Sequence, residues 1–342
     1  MPRTLLNTYI PIIVFPVLSA LCLKLITQNL DVAAGLTPHL QGQCSPTSPE
    51  ESPYRITYTG GAVDVAICGF VAFFHLALTP TVRPLLTYFL GTSLPLLALP
   101  ALEAHRAGRR ASTRGPVILS LPVLVSLAGQ VFTVGAVLPL YWLIFILSGT
   151  ASATPTSSTK ISSAHAQATA FSLLIGVAVP SACLLFLSDP HVTALWQLFP
   201  LYQFFAYRVH LRVRPPQANS GGDGFGWVQA LYLSSFIAGS STHLGTIASP
   251  SVASVFLPRM GAPGIGVAPE LLVLDVLQWD SIFAFGSTML ATLWFAHTTC
   301  QALTIALWNV VGSVVVGPGA AIAAVALWRE SYLHTKVAER KQ

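Results

Sequence analysis

The stretch Glu270 to Ala296, ELLVLDVLQWDSIFAFGSTMLATLWFA, has the length of a bilayer-crossing helix and carries aspartates at 275 and 280. Placing an ionised carboxylate there costs on the order of 2.5–3.5 kcal/mol even on the lenient insertion scale. A chain that keeps such a group needs it for proton chemistry, an ion path or a cationic partner. Five residues apart, the two aspartates lie about 140° apart around a helix at 100° per residue, so they form no dyad on one face. Asp280 shares its face with Phe283, Ala284, Ser287 and Trp294, and Asp275 with Gln278 and Trp279. Asp280 sits ten residues inside the run, near the midplane, and Asp275 nearer an end, where water can reach it.

The remainder of the chain has the same character. Only 8% of the 342 residues are charged and 53% are hydrophobic, against about a quarter charged in soluble domains. The fold expected is all-α: a single transmembrane helix bundle over 1–342 with eight or nine spans. Each needs roughly 20 apolar residues. The runs fall near 5–26, 61–80, 84–103, 117–148, 166–187, 191–207, 227–248, 270–296 and 299–328. The 191–207 run is the weakest, being short and broken by Pro200, Gln197 and Gln203. Loops are expected at 27–60, 149–164 and 208–226, from their Pro, Ser, Thr and Gly content. Residues 1–26 read as a retained helix, having no small-residue cleavage site. With neither sequon nor presequence, the endoplasmic reticulum is the default membrane.

A net charge of +5 in a soluble chain would raise nucleic acid as a partner; here the bases sit at the ends of spans, where they orient the chain. Three clusters stand out: Arg106, Arg109, Arg110 and Arg114; Arg208, Arg212 and Arg214; and Arg329, Lys336, Arg340 and Lys341. Nine spans put the second cluster opposite the other two, with the 104–116 loop and the tail cytosolic. If 191–207 does not cross, the tail becomes the exception. Cys22, Cys68, Cys183 and Cys300 lie in or beside apolar runs and only Cys44 in a loop, so neither a disulfide nor a metal site is expected.

Other polar residues inside the runs are candidates for a site. Asp64 opens the 61–80 helix, and His75 returns to its face three turns on, so the pair can line one cavity; a helix-dipole role for Asp64 and a packing role for His75 compete with this. Gln130 and Tyr141 share a face of a helix bent at Pro139. Gln130 and Asn309 can each hold a substrate oxygen or join helices. Glu103, beside His105 and Arg106, reads as interfacial. No Asp-rich diphosphate motif, His box, HExxH, GxSxG or P-loop occurs, and GGDGFG (221–226) and GAPGIG (261–266) are turns. No metal or other cofactor is expected.

Isolated acids among aromatics and amides suit one reaction class. A carboxyl group in apolar surroundings keeps its proton at neutral pH, because desolvation disfavours the anion. Such an acid can protonate an epoxide or alkene of a lipophilic polyene. Aromatic faces then steer the cation, worth roughly 2 kcal/mol or more each when desolvated. Trp279, Phe283 and Trp294 supply such faces, although most membrane aromatics only pack. The helix LAGQVFTVGAVLPLYWLIFIL, the LQWD motif with its aromatic-rich tail and the Pro-rich layout resemble fungal membrane-bound meroterpenoid cyclases of the ascofuranone, ascochlorin and macrophorin type. That resemblance implies a metal-independent terpene cyclase, in secondary metabolism, acting on a farnesyl or epoxyfarnesyl chain carried by an aromatic or quinol. It also implies that Asp280 of LQWD is the acid. Read from the residues and not from the resemblance, Asp64 or Asp275 would be a second acid or charge partner, and Gln130, Tyr141 or Asn309 would position oxygens. The competing reading is a transporter of a lipophilic or protonated solute, which the lack of internal repeats disfavours.

Overall fold

Many helices in this chain start at or just before a proline, which is not always where the hydropathy changes. A computed structural model describes residues 5–30, 36–44, 54, 62–106, 116–151, 156, 159–216, 223–249, 256, 258–259 and 266–339. A π-helical turn at Leu5–Tyr9 leads into α1 (Ile10–Leu30), followed by α2 (Leu36–Gln43) and α3 (Ala62–Ala77). Next come α4 (Arg83–Thr92), α5 (Leu94–Ala104), the single turn α6 (Val117–Ser120), α7 (Pro122–Phe132) and α8 (Val134–Leu147). A π-helical turn, Leu174–Ala178, joins α9 (Ser163–Leu173) to α10 (Val179–Leu187). Then follow α11 (Pro190–Trp196), α12 (Phe199–Val213), α13 (Phe225–Ile247), α14 (Pro269–Thr292), α15 (Thr299–Val315) and α16 (Pro318–Glu339). Among the described residues the fold is all-helical, as expected, with one isolated bridge between Ser162 and Asp223.

Three stretches are long and apolar enough to cross a membrane by length and composition: Asn7–Leu30, Arg83–Ala104 and Ser163–Leu187. That is fewer than the eight or nine expected: breaks divide several apolar runs into shorter helices, and α13 and α14, though 23 and 24 residues long, are not among the three. The 299–328 run is two helices, split where Gly317 turns at φ 93° ahead of Pro318. The stretch 27–60, read as loop, contains α2. The 117–148 run is not one helix bent at Pro139 but the single turn α6 followed by α7 and α8, these two broken at Thr133.

That break makes the run double back. Gly135 meets Asp280, Trp142 meets Thr288 and Phe145 meets Phe295, so α8 runs alongside α14 in the same direction. α7 packs on α8, and the lead-in turn α6 touches both α5 and α8, so the run enters and leaves at the same end of the bundle. At that end the Tyr207 ring stacks 4.1 Å from His105 and Arg329 bonds Glu103. The expected conflict among the basic clusters therefore disappears: Arg106, the α12 terminus with Arg212, and Arg329 all lie at one end. Arg109, Arg110, Arg114, Arg340, Lys341 and most of GAPGIG are outside the described residues.

Glu103, read as interfacial, lies at that end, buried at 1% exposure among Arg106, Arg329 and Glu330. One expectation is corrected. Cys44 and Cys68 form a disulfide that fastens the end of α2 to α3; the apolar sequence around Cys68 hid its partner.

α14 is the central element. Seventeen of its 24 residues are buried, and it packs on α1, α3, α4, α8 and α16. The hydroxyls of Ser281, Thr288 and Thr292 bond carbonyls three or four residues back, which satisfies them without disturbing the apolar packing.

At the basic end, Asp223 ties three segments together. Its carboxylate accepts from Lys160 and His334, each at 3.0 Å, and from the Phe225 amide at 3.1 Å. Partial burial alone would raise its pKa. The hydrogen bonds from Lys160 and the Phe225 amide and the charges of Lys160 and His334 outweigh this and hold it below the ordinary value of 3.8. A group depressed in the folded state contributes stability that is fully present above its unfolded pKa and lost as pH falls through the folded one. The protection of backbone amides at 161–163 and 223–225, taken relative to their intrinsic exchange rates, should therefore fall below pH 3.8, and Asp223→Asn should remove this dependence. An identical acid profile in that variant would refute the tie.

Candidate functional site

One large cavity, about 710 Å³, lies inside the bundle, within the ~300–1,000 Å³ range of small-molecule sites. Its walls are α3 through Phe70, Phe73 and Phe74, the α4–α5 span through Phe89, α7, the start of α8, the α10–α12 region through Trp196, and one face of α14. The lining is overwhelmingly apolar, and among the described residues Asp280 is its only ionisable side chain. Phe70, Val131 and Phe186 line it and are also 38%, 66% and 81% exposed, so the cavity opens sideways through the apolar flank of the bundle.

Asp280 is 8% exposed and is held by the break between α7 and α8. The Gly135 amide, in the first turn of α8, donates to its Oδ1 at 2.5 Å. The first amides of a helix have no partner within it and carry partial positive charge, so they take an oxygen ligand readily. Position 135 must be glycine: a Cβ there would lie 2.5 Å from the Asp280 carbonyl oxygen, 2.9 Å from Oδ1 and 3.0 Å from Cys22 Sγ. Ser19 of α1 clamps the same turn by donating to the Ala136 carbonyl at 2.8 Å.

The break itself is strained. Thr133 has φ 72° and ψ 149°, a region essentially reserved for glycine, and costs about 1–3 kcal/mol in a β-branched residue. Its side chain lies against the Asp280 carboxyl and the Cys22 thiol, yet its hydroxyl is enclosed without a hydrogen bond of ordinary geometry. One turn earlier, Gln130 also lines the cavity, and its Nε2 is enclosed and unpaired.

Of the residues singled out in the sequence, the cavity brings together Asp280 and Gln130. Asp275 faces elsewhere and pairs with Arg259, Nε to Oδ2 at 2.9 Å. Asp64 is buried at 3% exposure, outside the lining; His75 meets Thr193 and lies tilted against the Tyr54 ring. Tyr141 belongs to the core with Trp142 and Phe145, on a different helix from Gln130. Trp279 and Phe283 pack with Cys22 and Ile26, and Trp294 packs on Phe15. Asn309 joins helices, donating to the Met289 carbonyl and Thr292 Oγ1 at 3.0 Å each.

Sequence reasoning missed Thr133 and Gly135. The only signal was the glycine pair, 129 and 135, flanking a run read as one helix; Gly129 allows the close approach of Val134.

A family model described as the CtvD domain matches residues 12–334. No curated protein and no solved structure matches the chain.

Proposed function

The chain belongs to the CtvD-domain family, and from that premise we propose that it is a multi-pass membrane cyclase of a prenylated aromatic or quinol substrate, with Asp280 as proton donor. The observation that carries this reading is an apolar chamber of about 710 Å³ with, among the described residues, a single acid in its wall. Membership of a meroterpenoid cyclase-like family supports it.

Gly135 occupies Oδ1, which leaves Oδ2 to hold the proton. The Asp280 O–H bond breaks and the proton goes to the substrate's terminal epoxide oxygen or alkene carbon. The breaking C–O bond leaves its electron pair on oxygen, or the alkene spends its π pair on the new C–H bond. Either way a carbon is left electron-deficient. The next double bond supplies its π pair to close the ring. Loss of a proton from the last cation to the Asp280 carboxylate restores the acid, and the product is an isomer of the substrate. Phe70, Phe73, Phe74, Phe89 and Trp196 present aromatic faces to this path, in place of Trp279, Phe283 and Trp294, and water is excluded by the apolar walls. The sideways opening suits a substrate that arrives dissolved in lipid.

The orientation follows from two features. Disulfides persist in oxidising compartments, so the α2–α3 cap carrying Cys44–Cys68 faces the lumen of the endoplasmic reticulum. The opposite end, with the basic clusters, faces the cytosol, in keeping with the positive-inside rule. A tag after Gln342 should be digested by protease added to sealed microsomes; protection of the tag would reverse the assignment.

The test of the activity is to supply microsomes containing the protein with farnesylated and epoxyfarnesylated quinols. The expected result is a cyclised product of unchanged mass. Absence of any isomer, together with vesicle uptake of the same compounds, would favour a transporter.

A further inference from the structure

We propose that Gln130 and Thr133 form an oxygen-binding subsite beside Asp280, so that the group held for protonation bears an oxygen; this rests on the reading of Asp280 as the acid. The two side chains sit on the last turn of α7 and at the break, and both line the cavity. Gln130 Nε2 is enclosed and unpaired, and the Thr133 hydroxyl is enclosed beside the Asp280 carboxyl with no hydrogen bond of ordinary geometry. Enclosing a donor without a partner is costly, and native structures tolerate it where a ligand supplies the missing acceptor. The other polar side chains of the lining show the contrast. Ser126 bonds the Pro122 carbonyl, Ser93 the Leu90 carbonyl, and Ser181 accepts from Trp196. Among the described lining residues, an enclosed amide donor without a partner remains only beside Asp280, with the Thr133 hydroxyl next to it.

The strained backbone points the same way. Thr133 holds a glycine-like conformation that places its hydroxyl against the carboxyl, and glycine there would relieve the strain but lose the hydroxyl. An alkene carbon offers no lone pair to an amide N–H or a hydroxyl. An ether-type oxygen offers two: one for the Asp280 proton and one for a donor from Gln130 or Thr133. These two are therefore positioning residues, which select the oxygenated terminus and fix it against the acid.

The probe is a farnesyl quinol ending in a methyl ether, an oxygen acceptor that cannot open as an epoxide does, compared with the plain farnesyl quinol. Binding is read from displacement of a radiolabelled plain farnesyl quinol from the purified protein. Purified protein should bind the ether about tenfold more tightly. Gln130→Leu and Thr133→Val together should abolish that preference while leaving the affinity for the plain chain unchanged, which also serves as the control for folding. Thr133→Ser should keep the preference. Should Thr133→Val fail to fold, Thr133→Ala and Gln130→Leu carry the same test. Equal binding of the two probes by the unaltered protein, or a preference that survives both substitutions, overturns the subsite. A preference of this kind without turnover of any quinol would instead sink the cyclase reading and leave the subsite standing.

Discussion

Microsomes carrying Asp280→Asn should make no detectable cyclised quinol, a loss of at least about a hundredfold, since a positioned general acid contributes roughly 10²–10⁴ to rate. The substitution is chosen because it isolates the proton. An asparagine oxygen still accepts from the Gly135 amide that now meets Oδ1 at 2.5 Å, and the side chain keeps its volume against Cys22 and the first turn of α8. Protein level and thermal stability should therefore stay near those of the unaltered chain. Asp275→Asn provides the contrast: its carboxylate meets Arg259 and lies outside the cavity lining, so cyclisation should continue. Full activity of Asp280→Asn would remove Asp280 from the mechanism. Loss of activity in both variants would trace the defect to α14 as a whole.

How much of this was legible beforehand can be judged residue by residue. Asp280 stood out because a carboxyl in apolar sequence is costly wherever its helix lies, and that argument needs no partner. The separation of Asp275 from Asp280 was legible for a similar reason, since helical angle is a local property. The cavity was not. Its walls come from α3, α7, α10 and α14, elements far apart in sequence, and hydropathy treats a residue facing lipid and one facing an internal chamber alike. For the same reason Trp279, Phe283 and Trp294 passed as cavity aromatics, whereas Phe73, Phe74 and Trp196 drew no notice. The break at Thr133 lacks proline and glycine at its own position, so FTVGAV reads as continuous helix. Only the tertiary contact with Asp280 reveals it.

Buried ion pairs were hidden likewise, and Glu103 shows the size of the effect. Glu103 Oε1 accepts from Arg106 Nε at 2.9 Å and Nη2 at 2.6 Å, and from Arg329. Arg106 also bonds Glu330 and, at 2.6 Å, the Thr159 carbonyl, while Arg329 lies 4.1 Å over the Phe295 ring. Two carboxylates and two guanidiniums thus balance in a site sealed from water, joining α5, α16 and the segment before α9. Glu103→Ala leaves two guanidiniums facing one carboxylate, and breaking a buried pair in this way costs about 3–5 kcal/mol. The expected outcome is a large fall in the thermal midpoint in detergent, with little response to added salt because buried charges are screened weakly. Glu103→Ala combined with Arg329→Met restores the charge balance and should lose less than the sum of the two single changes, as coupled sites do. Additive losses, or a Glu103→Ala cost below about 1 kcal/mol as for a surface pair, would show that the network does not hold this end of the bundle together. The site lies at the far end of α8 from Gly135, so a milder variant, Glu103→Gln, should keep cyclisation at low temperature and lose it on warming, as a defect of folding and not of chemistry.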